Sequence, residues 1–257
     1  AKSSGGRRPV IFSLNSNSAY ALLIKILSKK MIFCVVDIKL QIVFEKSFAL
    51  HNTAKTDLDA AVCLGIDRVF RENKKWRDSL VGIGISVSGV VDHADHTILY
   101  SSTLNIANYN IKATIESKID KPVYVFKDTD SSLMGEYILN NLRDDESYVY
   151  LFVESGVGMS FMNKGEIMQL NRGGMEIGHI RIESGGPRCD CGKYGCVESF
   201  LSEQAAVRDY HDLKCKSEEP RPSEEEKITL EKIIERSARG DELSSEVIHH
   251  QCCFLGR

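Results

Sequence analysis

Three cysteines and a histidine gathered in the run His179-Ile-Arg-Ile-Glu-Ser-Gly-Gly-Pro-Arg-Cys189-Asp-Cys191-Gly-Lys-Tyr-Gly-Cys196-Val-Glu198 are the side chains of this sequence best equipped for chemistry. Three thiolates and one imidazole make the ligand set of a closed, tetrahedral structural zinc. The spacing Cys-x-Cys-x4-Cys has little reason to arise from core packing, and Gly192 and Gly195 let the backbone turn tightly enough to aim three sulfurs inward. A disulfide fits the cluster poorly. Three cysteines leave one unpaired, and Cys189 and Cys191 stand too near in sequence to bridge without strain. The spacing therefore predicts one zinc held by His179, Cys189, Cys191 and Cys196, in a segment covering residues 179–198.

The elements that must position this segment alternate strand with helix. Tyr20 to Ile26, Met31 to Ile38 and Gln41 to Phe48 read as an opening three-strand meander, and Asp57 to Asn73 has helical periodicity. Leu80 to Val87 reads as a buried strand, Ile111 to Lys118 as a helix, and Val123 to Phe126 as another strand, the order of an α/β domain with a mixed sheet. A helix over Ser131 to Leu142 opens a second β-rich unit. Its expected strands are Tyr148 to Val153, Val157 to Asn163 and Glu166 to Leu170, with Asn163-Lys-Gly165 as a hairpin turn. The boundary is expected near residue 126, giving domains 1–126 and 127–257. Lys214 to Lys227 carries Pro220 and Pro222 and reads as an exposed loop. Ile228 to Arg239 and Glu242 to Phe254 then read as helices, with Gly240-Asp241 stopping one and capping the next.

At 257 residues and 42% apolar content the chain can bury a sizeable core, and its formal net charge of -3 lacks the basic excess of a nucleic-acid surface. No apolar run approaches the roughly 20 residues that span a bilayer, and Ala1-Lys-Ser-Ser-Gly-Gly-Arg-Arg-Pro9 has no apolar core of a signal peptide. A cytoplasmic protein without a membrane partner is expected. Eight cysteines with a thiolate metal site suit a reducing compartment. Cys34 and Cys63 read as small core residues, Trp76 as half-buried packing, and His93, His96, His211, His249 and His250 as surface residues.

Gly173-Gly174-Met175-Glu176-Ile177-Gly178-His179, followed by Cys189-x-Cys191-Gly192-x-x-Gly195-Cys196-x-Glu198, resembles the signature of the ROK family of repressors, open reading frames and sugar kinases. Blocks in the family's order extend the likeness over most of the chain: Gly5-Gly-Arg-Arg-Pro9, Gly82-Ile-Gly-Ile-Ser-Val-Ser-Gly89, Pro122 to Asp128 and Gly240-Asp-Glu-Leu. The resemblance implies a two-domain α/β fold of the actin, hexokinase and Hsp70 type, ribonuclease H-like in each half, with a sugar held between the domains. It also implies the sugar contacts Asp128, Glu176, His179 and Glu198, with Asn105 or Thr103 of Ser102-Thr-Leu-Asn105 as a further one. Those residue types suit the task. A carboxylate accepts from two vicinal hydroxyls, and a histidine bound to metal by one nitrogen still donates through the other.

Two activities resemble each other within the family, and the phosphate loops separate them. Its kinases open with Asp-x-Gly-Gly-Thr after the first strand, whereas this chain reads Lys25-Ile26-Leu27-Ser28-Lys29. Their second loop, Gly-Thr-Gly-x-Gly, stands here as Glu154-Ser155-Gly156-Val157-Gly158. It keeps Gly156 and Gly158 but sets a carboxylate where triphosphate would approach. Asp128 matches the kinases' catalytic base, although an Asp capping a helix is its purely structural reading, and Lys127 replaces the family's Asn before it. The expectation is a sugar-sensing domain of a ROK-type transcriptional regulator, with an ATP-dependent hexose kinase as the alternative and ATP with Mg2+ not bound. The resemblance further implies a monosaccharide or derivative as effector, a homo-oligomer (dimer or tetramer), and DNA contacted only through an N-terminal helix-turn-helix domain outside this chain. Both ends read as cut, with the second domain truncated.

Overall fold

The computed structural model describes residues 13–169, 176–216 and 228–255. Gly5 to Pro9, Gly173 to Met175 and most of the expected loop to Lys227 lie outside the described residues. Two compact units emerge. The first takes in the described chain up to Val87 with His93–Ile98 and Thr103–Phe126, and the second takes Ser88–Asp92, Leu99–Ser102 and the chain from Lys127.

In the first unit, strands β1 (Tyr20–Ile26), β2 (Lys30–Asp37) and β3 (Ile42–Ala49) form the expected meander, followed by helices α1 (Lys55–Glu72) and α2 (Lys74–Asp78) and strand β4 (Leu80–Val87). Alternation in β1 sets one face inward: Tyr20, Leu22, Ile24 and Ile26 are buried while Leu23 is exposed. Against that face α1 presents Leu58, Val62, Ile66 and Val69, all buried at helical spacing. Next along the chain, divided between the two units, come three short strands, β5 (Val90–Asp92), β6 (Thr97–Ser101) and β7 (Ile106–Tyr109), which carry no sequence signal strong enough to predict them. Helix α3 (Ile111–Glu116) and strand β8 (Val123–Lys127) complete a five-stranded sheet of order β3-β2-β1-β4-β8. The sheet is mixed as expected, since β1 runs antiparallel to β2 and parallel to β4. Two expectations need correcting. Trp76 is buried rather than half-buried, tilted against Phe44 at 5.0 Å, because α2 turns its ring inward. His96 is not a free surface residue: its Nδ1 lies 3.0 Å from the Val125 carbonyl and its ring stands edge-on to Tyr124 and Phe126.

The second unit opens with helix α4, which starts at Asp128 rather than Ser131 and ends at Leu139. The earlier start has an electrostatic reason, because Asp128 and Asp130 both fall in the first turn, where the helix dipole favours carboxylates. Asp128 therefore does not serve as the cap; Lys127 holds that position without a side-chain cap bond. Strands β9 (Ser147–Val153), β10 (Val157–Asn163) and β11 (Glu166–Ile167) form an antiparallel sheet, with β11 shorter than the expected run to Leu170. Among the described residues β9 lies at the end of this sheet, with Val149 63% and Leu151 44% exposed. Helices α5 (Glu198–Leu201), α6 (Glu203–Lys216), α7 (Leu230–Ala238) and α8 (Glu242–Leu255) close the unit. Ala206, Tyr210, Ile228, Ile233 and Val247 form the core where α6, α7 and α8 meet, and Phe200 of α5 stacks on Phe254 of α8 at 4.5 Å. Gly240 adopts φ +89 after α7, and Asp241 accepts from the Ser244 amide at 2.8 Å to cap α8. Hydrogen bonds from Ser244 hold the Asp241 carboxyl below the usual carboxylate range. Among the described residues no helix is long and apolar enough to cross a membrane.

Candidate functional site

His179 ends a 3-10 turn, Ile177–His179, whose amide bonds back to the Glu176 carbonyl at 3.1 Å. The cysteines follow on a turn-rich loop held by main-chain bonds: Cys189 N–H to Lys193 O at 2.8 Å, Gly192 N–H to Cys189 O at 2.9 Å, and Gly195 N–H to Pro187 O at 2.8 Å. These turns bring three of the four expected ligands together, and the fourth, Cys196, lies against Cys191. The donor atoms of His179, Cys189 and Cys191 lie within 4.8 Å of one another. Cys189 Sγ is 3.6 Å from His179 Nδ1, and Cys191 Sγ is 3.8 Å from Cys196 Sγ.

Those separations test the fit to a metal. Thiolates at ~2.3 Å and an imidazole nitrogen at ~2.0–2.1 Å from a tetrahedral ion stand ~3.8 Å (sulfur to sulfur) and ~3.6 Å (sulfur to nitrogen) apart. The two separations in the structure match these values, so the cluster could hold one metal ion with Nδ1 as the histidine donor. Burial pushes the Cys189 and Cys196 thiols above their ordinary range. Burial opposes the Cys191 thiolate as well, but the Lys193 amide and the neighbouring thiols of Cys189 and Cys196 outweigh it and hold Cys191 below its ordinary value. A cation among the sulfurs would favour the thiolate at all three, since coordination deprotonates a thiol outright.

The expected carboxylates sit on separate elements of the same unit, and Glu198 is the one recorded against the cluster. Glu198 opens α5; its Oε2 accepts from the Val157 amide at 3.2 Å, and its Oε1 lies 3.6 Å from Cys189 Sγ. Asp128 opens α4 and accepts from the Thr129 amide at 2.8 Å. Glu176 is paired: its Oε1 lies 2.8 Å from the Nζ of Lys127. Ser160 donates to Asp130, while its hydroxyl is also 2.7 Å from Thr129 Oγ1. Asn105 belongs to the other unit, exposed on the turn between β6 and β7 with φ +52.

Gly156 sits at the turn joining β9 to β10 and Gly158 is the second residue of β10, and the packing accounts for both. A Cβ on Gly156 would stand 2.9 Å from Glu198 Oε2, and one on Gly158 would stand 2.8 Å from Thr129 Cγ2. The Val157 amide, the group between them that a phosphate oxygen would need, is already given to Glu198. The first loop is also a plain hairpin, closed by Leu27 N–H to Lys30 O at 2.9 Å.

Lys127 and the Val157 amide were missed as site groups by sequence reasoning. One clue existed for the first. Lys127 ends an apolar strand, Val123-Tyr-Val-Phe-Lys127, and a lysine buried at 5% exposure requires an anionic partner.

A model of the ROK family matches residues 23–257. The xylose repressor of Bacillus subtilis (strain 168) is 26% identical over 209 residues, which are 80% of this chain and 54% of the repressor. A ROK family transcriptional regulator, a homologue of the E. coli MLC protein, superposes with a TM-score of 0.83 at 25% identity, covering 94% of this chain and 61% of that one. A ROK family glucokinase from Streptomyces griseus, solved with glucose and AMPPNP, superposes with a TM-score of 0.73 at 20% identity over 93% of this chain and 77% of that one. The actin and hexokinase type of fold is thereby shared. The chain spans little more than half the length of the repressor and of the regulator it matches.

Proposed function

Because the chain belongs to the ROK family, we propose that it is the sugar-sensing part of a transcriptional regulator, with a structural zinc beside the sugar site. The observation that carries the regulator reading is the Val157 amide: it donates to Glu198, so the β9 to β10 turn offers a bound phosphate no free amide at that point. The exposed Glu154 at the same turn adds like charge against a triphosphate. The names of the xylose repressor and of the superposed regulator support the same reading. A kinase remains the second reading, favoured by Asp128 standing where the family's catalytic base is expected and by the likeness to the glucokinase.

In this reading Asp128, Glu176 and Glu198 accept from sugar hydroxyls, and His179, fixed through Nδ1 by the zinc, donates through Nε2. The zinc supplies rigidity, setting the loop from which Glu198 enters. DNA binding falls to a part of the regulator outside this chain, the working unit is a dimer or tetramer, and a cysteine-rich chain with a thiolate metal site suits the reducing cytoplasm. A thermal-shift screen with D-xylose, D-glucose and N-acetyl-D-glucosamine, followed by calorimetry, tests it. Glu198→Ala and Asp128→Ala are each expected to weaken the binding sugar about tenfold or more, the cost of leaving a buried hydroxyl unpaired. Unchanged affinity in both variants would move the sugar elsewhere. With Mg-ATP and D-glucose no phosphorylation is expected, and turnover above about 1 per second would establish the kinase instead.

A further inference from the structure

Lys127 is the buried cation of the site, and its surroundings say what it does. Its side chain is 6% exposed, with Nζ 2.8 Å from Glu176 Oε1 and 3.3 Å from the Met159 carbonyl. A buried ammonium is stable only when paired and hydrogen-bonded, so these partners define its position. Little of it is open to a ligand. Glu176, by contrast, keeps a side chain 33% exposed although its Oε1 is buried beside the Lys127 ammonium. One ammonium thus joins three pieces: the end of β8 next to Asp128, strand β10 through Met159, and the residue that begins the turn to His179. The family pattern sets an Asn where Lys127 stands, and a neutral amide would donate to the carboxylate without the positive charge that offsets its burial. From this geometry we propose that Lys127 is a positioning residue for ligand binding, fixing the Glu176 carboxylate so that its other oxygen meets a sugar hydroxyl.

The assignment rests on the sugar-sensing reading, and calorimetry can separate the two. D-xylose, D-glucose and N-acetyl-D-glucosamine serve as probes, with zinc content measured in every variant. Lys127→Met and Lys127→Gln are each expected to weaken the binding sugar about tenfold, with Lys127→Arg recovering all but about threefold. Adding Glu176→Gln to Lys127→Met should cost less than about twofold more, because residues acting as one unit are not additive. Zinc content should stay at the wild-type level throughout, which a collapse of the metal loop would not allow. Wild-type affinity in either folded Lys127 variant, or full multiplication of the two losses, overturns the assignment while leaving the sugar reading intact. A wild-type protein that binds none of the three sugars overturns both.

Discussion

Replacing Cys191 with serine, or stripping the metal with a chelator, is expected to drop bound zinc from about one per chain to well under half and to lower the melting temperature by roughly 10 °C. Apart from its main-chain hydrogen bonds, the loop has little apolar packing to hold it. Between Ile180 and Glu198 its regular structure is two isolated bridges, Arg181 with Cys196 and Arg188 with Tyr194, and Ile180, Ile182 and Tyr194 are all exposed. What is buried there is chiefly sulfur: Cys189 at 4% and Cys196 at 0% exposure. Apparent zinc-binding free energies of structural sites reach ~10–16 kcal/mol, and ordering the loop consumes part of that. If a third survives as net stability, ~4 kcal/mol, the midpoint falls by about 8–16 °C at the ~2–4 °C per kcal/mol of a chain this size. Elemental analysis with calorimetric melting decides it. Wild-type protein that carries no zinc as purified, or that melts at the same temperature before and after chelation, would show that the cluster is no structural metal site.

Gly195→Ala should be nearly as damaging, and for a steric reason that a neighbouring glycine controls. Gly195 adopts φ +72, and a Cβ there would stand 1.7 Å from the Glu183 carbonyl oxygen. Main chain cannot move aside as a side chain can, so the loop must open at the residue before Cys196. Gly192 shares the left-handed backbone, at φ +85, but nothing lies within 4 Å of its added Cβ. Gly192→Ala should therefore cost only the ~1–2 kcal/mol of a left-handed alanine and retain zinc. Gly195→Ala should lose zinc and express poorly. Equal zinc content and equal melting in the two variants would refute the clash.

How far the sequence could be read depended on the range of the interactions involved. Strands β1, β2 and β4 and helix α1 were predicted within a few residues, because their burial periodicity is local and strong. The Cys/His cluster was legible because it too is local: three of the four expected ligands fall within the loop from Cys189 to Cys196. Strands β5 to β7 escaped, being three to five residues long around the polar turn Asp92 to His96. His96 was misjudged because its partners, Val125, Tyr124 and Phe126, come from a strand distant in sequence. The bond from Val157 to Glu198 spans 41 residues and the pair of Lys127 with Glu176 spans a comparable stretch, so neither leaves a periodic trace. The residue choices Asp128, Glu176, His179 and Glu198 came from resemblance; what each of them touches came from the fold.

Strand β9 carries a different kind of consequence. Ser147-Tyr-Val-Tyr-Leu-Phe-Val153 has no charge, proline or glycine and consists almost wholly of residues that favour extended backbone. A segment of that composition, at a sheet end with Val149 and Leu151 facing outward, has the makings of a cross-β template. Acidic residues bracket it: Asp144, Asp145 and Glu146 precede it, and Glu154 follows. Stacked copies would pile these charges on one another every ~4.8 Å, so they act as gatekeepers against fibril growth. The same Glu154 that is proposed to disfavour a triphosphate thus also helps keep the strand from self-assembly, and its neutralisation would be felt in solubility before it was felt in binding.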